Sequence, residues 1–373
     1  MRTWLFRNAT MVEKQMPAFL FSLSLFAYLI LFRQIVEPDL RDHFRISNEL
    51  IQGKPMAHPV FFILLQVFSG FTKSGPALLF AAFILFSLGF YLKYHFSLHL
   101  GETILKRPAS RAFCLILLLC QVAIGFIWLQ NGFIKASLSP NFFHNGTLLL
   151  SIPPSLYLLN QSLLFVQDEN QERRIRMLLA GLLILFTKPS FLFCWIPVMP
   201  LFLLLSDGPR KRLLTILQVA VLLIFALILQ SFFLQKSSVG FRLYFNPFTY
   251  FGTLQNHLLV FVSAVLFPII TIVPGWNYWK SKTGILLLLM CFQGLIISFC
   301  FYDTIKGIIS PNMFWQSSIM HYLLLLYAGI ILHELLFKQK YWLALLPAIA
   351  FMAQVSAGLQ YLRIASVMRS FFF

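Results

Sequence analysis

The stretch that decides the fold is MPAFLFSLSLFAYLILFRQIV at residues 16–36, in which Arg33 is the only charged residue. A helix needs about 20 mostly apolar residues to cross a bilayer, so this stretch predicts a transmembrane helix. Arg2, Arg7 and Lys14 precede it, and the apolar run is too long for the core of a cleaved signal peptide. We therefore expect an uncleaved signal-anchor helix whose N-terminal side is cytoplasmic.

The composition extends this pattern to the whole chain. Of the 373 residues, 59% are hydrophobic and 11% are charged, and the mean hydropathy is +0.80. Soluble domains carry about 25% charged residues, and the short alternating strands of a membrane barrel are absent. The predicted fold is all-α, a polytopic transmembrane helical bundle of about 11 spans that forms one domain over residues 1–373.

The charge distribution orients the predicted spans. The net charge of +17 is expected to hold cytoplasmic loops inside and to contact anionic membrane lipids, and we do not expect nucleic acid as a partner. The basic segment 93–111 is expected to be cytoplasmic, so the short run 59–72 is interpreted as an interfacial helix; two short spans are the alternative. The predicted crossings are 16–36, 76–92, 112–130, 146–166, a hairpin of two short helices over 177–205, 213–233, 257–274, 284–301, 321–337 and 342–361.

The first outer loop contains a concentration of acidic residues. Residues 36–50 read VEPDLRDHFRISNEL and hold four of the twelve acids of the chain. Their apolar spacing predicts a surface helix within 37–58. Asp39 and Asp42 are three residues apart and share a face of that helix. Helix capping explains one aspartate well, but it explains Asp39, Asp42 and His43 together less well, so we consider the two aspartates candidate catalytic groups.

A second motif follows directly. Residues 56–62 read MAHPVFF, after a Gly-Lys-Pro turn at 53–55. An acid soon after the first span, a surface helix, this turn and His-Pro-aromatic together resemble the start of GT-C membrane glycosyltransferases. The resemblance covers about residues 16–95 and implies a polyprenyl- or dolichyl-phosphate-linked sugar donor, with Asp39 or Asp42 as catalytic base. The large C-terminal soluble domain of some members is missing, which argues against a protein-modifying oligosaccharyltransferase.

Glycosyl transfer from a phosphate-linked donor also needs cations at the leaving phosphate and polar groups at the sugar. Lys188 is the strongest candidate cation, because the break at Lys188-Pro189 places it near a membrane boundary; a lysine that merely extends to the interface is an equal alternative. His321 begins a span, where packing is the favoured interpretation. The full set of candidate substrate- and phosphate-binding residues is Lys188, Arg41, Arg242, His58, His43, Asn141, His144, Asn145 and His321.

No cofactor is indicated with certainty. Asp39, Asp42 and His43 could hold a divalent cation such as Mg²⁺ or Mn²⁺, but no metal site is assigned. The chain has no phosphate-binding GxxxxGK[ST] loop, which fits a lipid-linked donor better than a nucleotide sugar. The expected setting is a bacterial inner membrane with the active site outside, and the acceptor could be a glycan, a lipid or a protein.

Three alternative functions remain open. A transporter or flippase of lipid-linked glycans should carry ionisable residues inside its spans, and the predicted spans have almost none. A polymerase or ligase of the O-antigen type usually relies on Arg and His in a large late outer loop, whereas here the acids are early. An acyltransferase would suit His43 or His58 but has no other support.

Overall fold

A computed structural model describes residues 15–33, 38–54, 59–120, 146–206, 209–234, 241–245, 257–305, 308–310 and 315–368. Within these residues the protein is a bundle of α-helices with one small sheet. The helices are α1 (Gln15–Phe32), α2 (Pro38–Ile51), α3 (Pro59–Ser69), α4 (Gly75–Leu105), α5 (Arg111–Leu117), α6 (Gly146–Gln167), α7 (Gln171–Thr187), α8 (Leu192–Leu205), α9 (Arg210–Leu234), α10 (His257–Ile270), α11 (Trp276–Trp279), α12 (Lys282–Cys300), α13 (Trp315–Phe337) and α14 (Tyr341–Met368).

Seven of the described helices are long and apolar enough to cross a membrane: α1, α4, α6, α9, α12, α13 and α14. The helical multi-pass fold expected from the sequence is therefore confirmed. Helices α6 and α13 are the most enclosed, whereas α9 presents much of its apolar surface outward, as a lipid-facing helix does. The predicted span 112–130 and the loop after it lie mostly outside the described residues, which contain only α5 in that region.

Helix α4 corrects the predicted end of the crossing 76–92, whereas the predicted cytoplasmic side of the basic segment 93–111 stays a prediction. The helix continues for 31 residues to Leu105, which corresponds to about 46 Å. Lys93 is fully buried in the bundle, with its Nζ atom 4.0 Å from the ring centroid of Tyr322 on α13. The aromatic faces of Tyr322 and Phe90 attract the ammonium group. Lys93 therefore lies inside the bundle and does not mark the end of helix α4.

A three-stranded antiparallel sheet was not predicted. Its strands are β1 (Phe241–Phe245), β2 (Phe301–Ile305) and β3 (Ile308–Ser310), in the order β1-β2-β3. Arg242 pairs with Thr304 across the first two strands. The sheet therefore joins the segment after α9 to the segment between α12 and α13.

The first and last described helices are tied together at one end. Arg33, just beyond α1, donates two hydrogen bonds to the backbone oxygen of Ser366 on α14, with donor–acceptor distances of 2.9 and 2.7 Å. The hydroxyl groups of Tyr28 and Ser366 are also within hydrogen-bond distance, at 3.0 Å. The last six residues of α1, Ala27–Phe32, adopt the wider π-helical form. Helix α1 is thus fixed by residues more than 330 positions later in the chain.

Candidate functional site

Helix α2 is a short amphipathic helix with a buried face and a charged face. Pro38 opens it, as its fixed φ suits the first helical position. Gly53 ends it in the left-handed region, at φ +78°, with the Lys54 amide donating to the Glu49 carbonyl oxygen at 3.3 Å. The buried face consists of Leu40, His43 and Ser47, whereas Arg41, Asp42 and Arg45 are exposed. The predicted apolar stripe is thus replaced in part by two polar side chains.

Specific contacts with α3 explain why His43 and Ser47 are buried. The His43 ring lies edge-on to Phe61 and Phe62, with centroid distances of 5.0 and 5.5 Å. The Ser47 hydroxyl donates to the Phe62 backbone oxygen at 3.3 Å and accepts from Gln66 Nε2 at 2.7 Å. At 11 residues, α3 is about 17 Å long, too short to cross the hydrocarbon core of about 30 Å.

The exposed face of α2 is a network of ion pairs. Arg45 lies 3.3 Å from Asp42 and 2.9 Å from Glu49, and Lys54 lies 3.7 Å from Glu49. Such exposed pairs contribute only about 0–1 kcal/mol each. The Asp42 side chain is 65% exposed, so it is accessible to a substrate. Asp39 lies in the first turn of α2, but its side chain is outside the described residues.

Lys188 occupies the break between α7 and α8, as the sequence predicted. Its backbone is extended, with φ −168° and ψ 114°, because Pro189 disfavours helical geometry in the preceding residue. The side chain is buried, with 8% of its surface exposed. Its charge lies close enough to His43 to contribute to the low pKa of that histidine. Lys188 therefore lies within electrostatic range of His43 on the buried face of α2.

His43 is buried on α2 with one ring nitrogen that has no hydrogen-bond partner among the described residues. Burial, followed by the positive charge of Lys188, lowers the pKa of His43 from 6.5 to about 4, whereas Asp42 raises it. The ring is therefore neutral at pH 7. Its Nδ1 atom is buried and has no hydrogen-bond partner among the described residues. A buried nitrogen without a partner costs about 1–3 kcal/mol, which a bound ligand group could relieve.

The packing of α2 on α3 is expected to depend on pH through His43. Because its pKa is lower in the folded than in the unfolded protein, the unfolded protein binds the proton preferentially, and the free energy of unfolding falls as pH drops from 6.5 to about 4. We expect the Tm of the wild type to fall between about pH 7 and pH 5, and the fall to be smaller in His43→Gln, which removes the contribution of this histidine. His99→Gln, at a partly exposed histidine, is the control. A fall of equal size in His43→Gln and the wild type would contradict the assignment.

Of the remaining predicted site residues, only Arg41 and His321 have side chains among the described residues. Arg41 is exposed on the charged face of α2. His321 on α13 forms a hydrogen bond through Nε2 with the Ala264 backbone oxygen of α10 and lines a small cavity beside Cys291. It therefore contributes to helix packing there. The backbone of Arg242 belongs to β1, but its side chain is outside the described residues, as are His58, Asn141, His144 and Asn145.

The predicted divalent cation at Asp39, Asp42 and His43 remains a prediction. Asp42 is directed outward to Arg45, whereas His43 is directed inward to the phenylalanine pair. In the part of the chain that the structure describes, no group of three or more His, Cys, Asp or Glu side chains is placed to hold a metal ion. Since the Asp39 side chain is not among those residues, the pair Asp39 and Asp42 is untested.

Comparisons with known proteins identify a similar structure but no family. No protein-family model matches the sequence, and no curated protein matches it. The crystal structure of the Archaeoglobus fulgidus oligosaccharyltransferase in the apo form is similar, with a TM-score of 0.53 and 11% sequence identity. The match covers 92% of this chain and 56% of that chain, so this chain spans just over half the length of its structural neighbour. At this identity the likeness shows the fold: a polytopic helical membrane fold shared with part of an archaeal oligosaccharyltransferase.

Proposed function

We propose that the protein is a membrane glycosyltransferase of the GT-C type. It would move a sugar from a polyprenyl- or dolichyl-phosphate donor to an acceptor hydroxyl on the outer side of the membrane. The observation that carries the proposal is Lys188, a buried cation at a helix break, whose charge acts on His43 of the acid-bearing helix α2. The fold shared with part of an oligosaccharyltransferase supports it.

The proposed chemistry divides between the carboxylates of α2 and the cation at the break between α7 and α8. The carboxylate of Asp39 or Asp42 would accept the proton of the acceptor hydroxyl, whose oxygen then attacks the anomeric carbon of the donor sugar. The bond between that carbon and the phosphate oxygen breaks, and the lipid phosphate leaves with the electron pair. Lys188 would stabilise the developing charge of the phosphate in a site that excludes water, and His43 would offer a hydrogen bond to a phosphate oxygen.

The proposed chemistry is compatible with more than one class of acceptor. The structural neighbour is an oligosaccharyltransferase, but the match covers only part of it, and a glycan, a lipid or a protein hydroxyl would serve the chemistry equally. Arg41 is on the exposed face of α2 beside Asp42, and in the proposed mechanism it would contact an acceptor or a donor.

Donor binding tests the phosphate site directly. We expect Lys188→Met to weaken binding of a polyprenyl-phosphate sugar by about tenfold or more, because a charge-assisted hydrogen bond contributes about 1.5–3 kcal/mol. Asp42→Asn should bind the donor about as well as the wild type. The measurement is a titration of the purified protein in detergent, with polyprenol lacking the phosphate as a control ligand.

The two arms of this titration separate the possible outcomes. Loss of binding in Lys188→Met alone supports a donor phosphate site distinct from the base. Equal donor affinity of Lys188→Met and the wild type would show that Lys188 does not bind the donor phosphate. Failure of the wild type to bind any lipid-linked sugar would overturn the proposal.

A second candidate function is transport of a lipid-linked glycan, and the buried Lys93 is the observation that favours it. Ionisable residues inside membrane helices often mark a substrate or ion pathway, and Lys93 lies in the interior of α4 against Tyr322. Movement of a fluorescent lipid-linked sugar across the bilayer of reconstituted vesicles, without sugar transfer, would favour this function over the first.

A further inference from the structure

The second half of α4 carries a line of polar side chains that the proposed function does not use. Tyr91, His95, His99 and Glu102 follow one another at spacings of four, four and three residues, so they share one face of the helix. His95 lies about 30 Å from Gly75 along the axis of α4. Even at a tilt of 40°, a helix of about 46 Å is longer than the hydrocarbon core, so this face reaches the membrane surface. The side chains of His99 and Glu102 are 41% and 36% exposed.

Both histidines are held at Nδ1 by oxygen acceptors. His95 Nδ1 lies 3.0 Å from Gln15 Oε1 of α1, and His99 Nδ1 lies 3.1 Å from a Glu102 carboxylate oxygen. An amide oxygen and a carboxylate accept hydrogen bonds, so in the neutral rings the proton is on Nδ1 and the lone pair is on Nε2. Metal-binding histidines are commonly held in this way, with the other nitrogen donating to a carboxylate or carbonyl oxygen.

The two rings are also close enough to share one ion. Their centroids are 4.5 Å apart and their planes are nearly perpendicular, at 84°. Two histidines at positions i and i+4 on one helix face are the arrangement by which helical zinc motifs bind their metal. Among the described residues neither Nε2 atom has a hydrogen-bond partner.

We propose that His95 and His99 form a two-histidine binding site for a divalent transition-metal ion, with Zn²⁺ as the expected occupant. Imidazole nitrogen suits Zn²⁺, Ni²⁺ and Cu²⁺, whereas Mg²⁺ and Ca²⁺ prefer oxygen. In the part of the chain described by the structure, no third His, Cys, Asp or Glu side chain is placed to bind the same ion, and Glu102 instead accepts from His99 Nδ1, so water completes the coordination. The site is therefore exchangeable and weaker than a four-ligand structural zinc site.

The position of the site suggests what the ion would do. Gln15 belongs to α1, and its amide oxygen also accepts a hydrogen bond from Tyr91. Metal on Nε2 makes the opposite N–H of His95 a stronger donor to this oxygen. A bound ion would therefore strengthen the attachment of α1 to α4, at the end of the bundle away from Gly75.

Metal titration of the full chain tests this proposal. Protein purified through a tag without histidines is titrated calorimetrically with Zn²⁺ and Ni²⁺. We expect one ion per chain in the wild type, and affinity at least about tenfold weaker in His95→Gln and in His99→Gln. Glu102→Gln, which weakens the support of His99, should reduce affinity by about tenfold. His333→Gln removes a histidine of another helix and should leave binding unchanged.

Two further measurements check that each variant is folded and that nitrogen atoms bind the metal. Thermal unfolding without metal shows whether each variant is folded, and the electron paramagnetic resonance spectrum of bound Cu²⁺ should show coupling to two nitrogen atoms. Wild-type affinity no greater than that of His95→Gln/His99→Gln would overturn the proposal, because the ion would then bind elsewhere. None of these readouts depends on sugar transfer, so the outcome is independent of the proposed activity.

Discussion

Replacing the proposed catalytic carboxylate of α2 by its amide is expected to reduce sugar transfer by about 10²–10⁴-fold, the usual contribution of a general base. Asn keeps the size and hydrogen-bonding capacity of Asp but cannot accept a proton from the acceptor. The Asp42 side chain is exposed and its partner Arg45 is also at the surface, so the fold should be unchanged in Asp42→Asn. The measurement is turnover of a polyprenyl-phosphate sugar by Asp39→Asn and by Asp42→Asn.

Helix α2 offers a matched control for this experiment. Glu49 pairs with Arg45 at 2.9 Å, just as Asp42 does at 3.3 Å. Glu49→Gln therefore removes an acid and an ion pair from the same helix without touching the proposed base, and it should keep wild-type turnover. Full turnover in both aspartate variants would remove the carboxylate base from the mechanism.

Removing Glu334 is expected to destabilise the protein by about 3 kcal/mol. Its side chain is only 10% exposed and lies against two cations: Arg107, whose guanidinium is hydrogen-bonded to it, and Lys338 at 3.1 Å. Arg107 also stacks on the Phe337 ring, 3.6 Å from the centroid. In Glu334→Gln the two cations would remain close together with no negative charge between them. This cluster connects the end of α4 to the end of α13.

Unfolding in mixed micelles, followed by circular dichroism, measures this effect. The control is Glu172→Gln, which breaks the exposed pair of Glu172 and Arg176 and should change stability by less than about 0.5 kcal/mol. A second change, Arg107→Met in the Glu334→Gln background, should restore part of the loss because it removes one uncompensated cation. Equal stability of Glu334→Gln and Glu172→Gln would show that the cluster is not a structural link.

The long membrane helices could be predicted because apolar length alone identifies them. Residues 146–166 and 213–233 were predicted as spans, and the structure has α6 and α9 there. The end of α4 was misjudged because the crossing was predicted to stop at residue 92, before the basic segment that begins with Lys93. A lysine marks the end of a span only when its charge must reach water. Here the rings of Phe90 and Tyr322 stabilise the charge inside the bundle.

Parts of the site depend on contacts that the sequence does not display. The acidic helix and the break at Lys188 follow from local patterns, and both are present. The burial of His43 and Ser47 follows from partners on α3, such as Gln66, which no helical periodicity specifies. The sheet joins Phe241–Phe245 to Phe301–Ile305, and two short strands so far apart in the chain carry little signal of pairing.

The bond between Arg33 and Ser366 has a consequence for how the protein is made. The two residues are 333 positions apart, and ribosomes add roughly 5–20 residues per second. Helix α1 is therefore complete roughly 20–70 s before its partner on α14 exists. During that interval the Arg33 guanidinium must be hydrated or bound to lipid head groups. Docking of α14 is thus expected to be a late step of assembly, and premature termination before Ser366 would leave the first helix without this anchor.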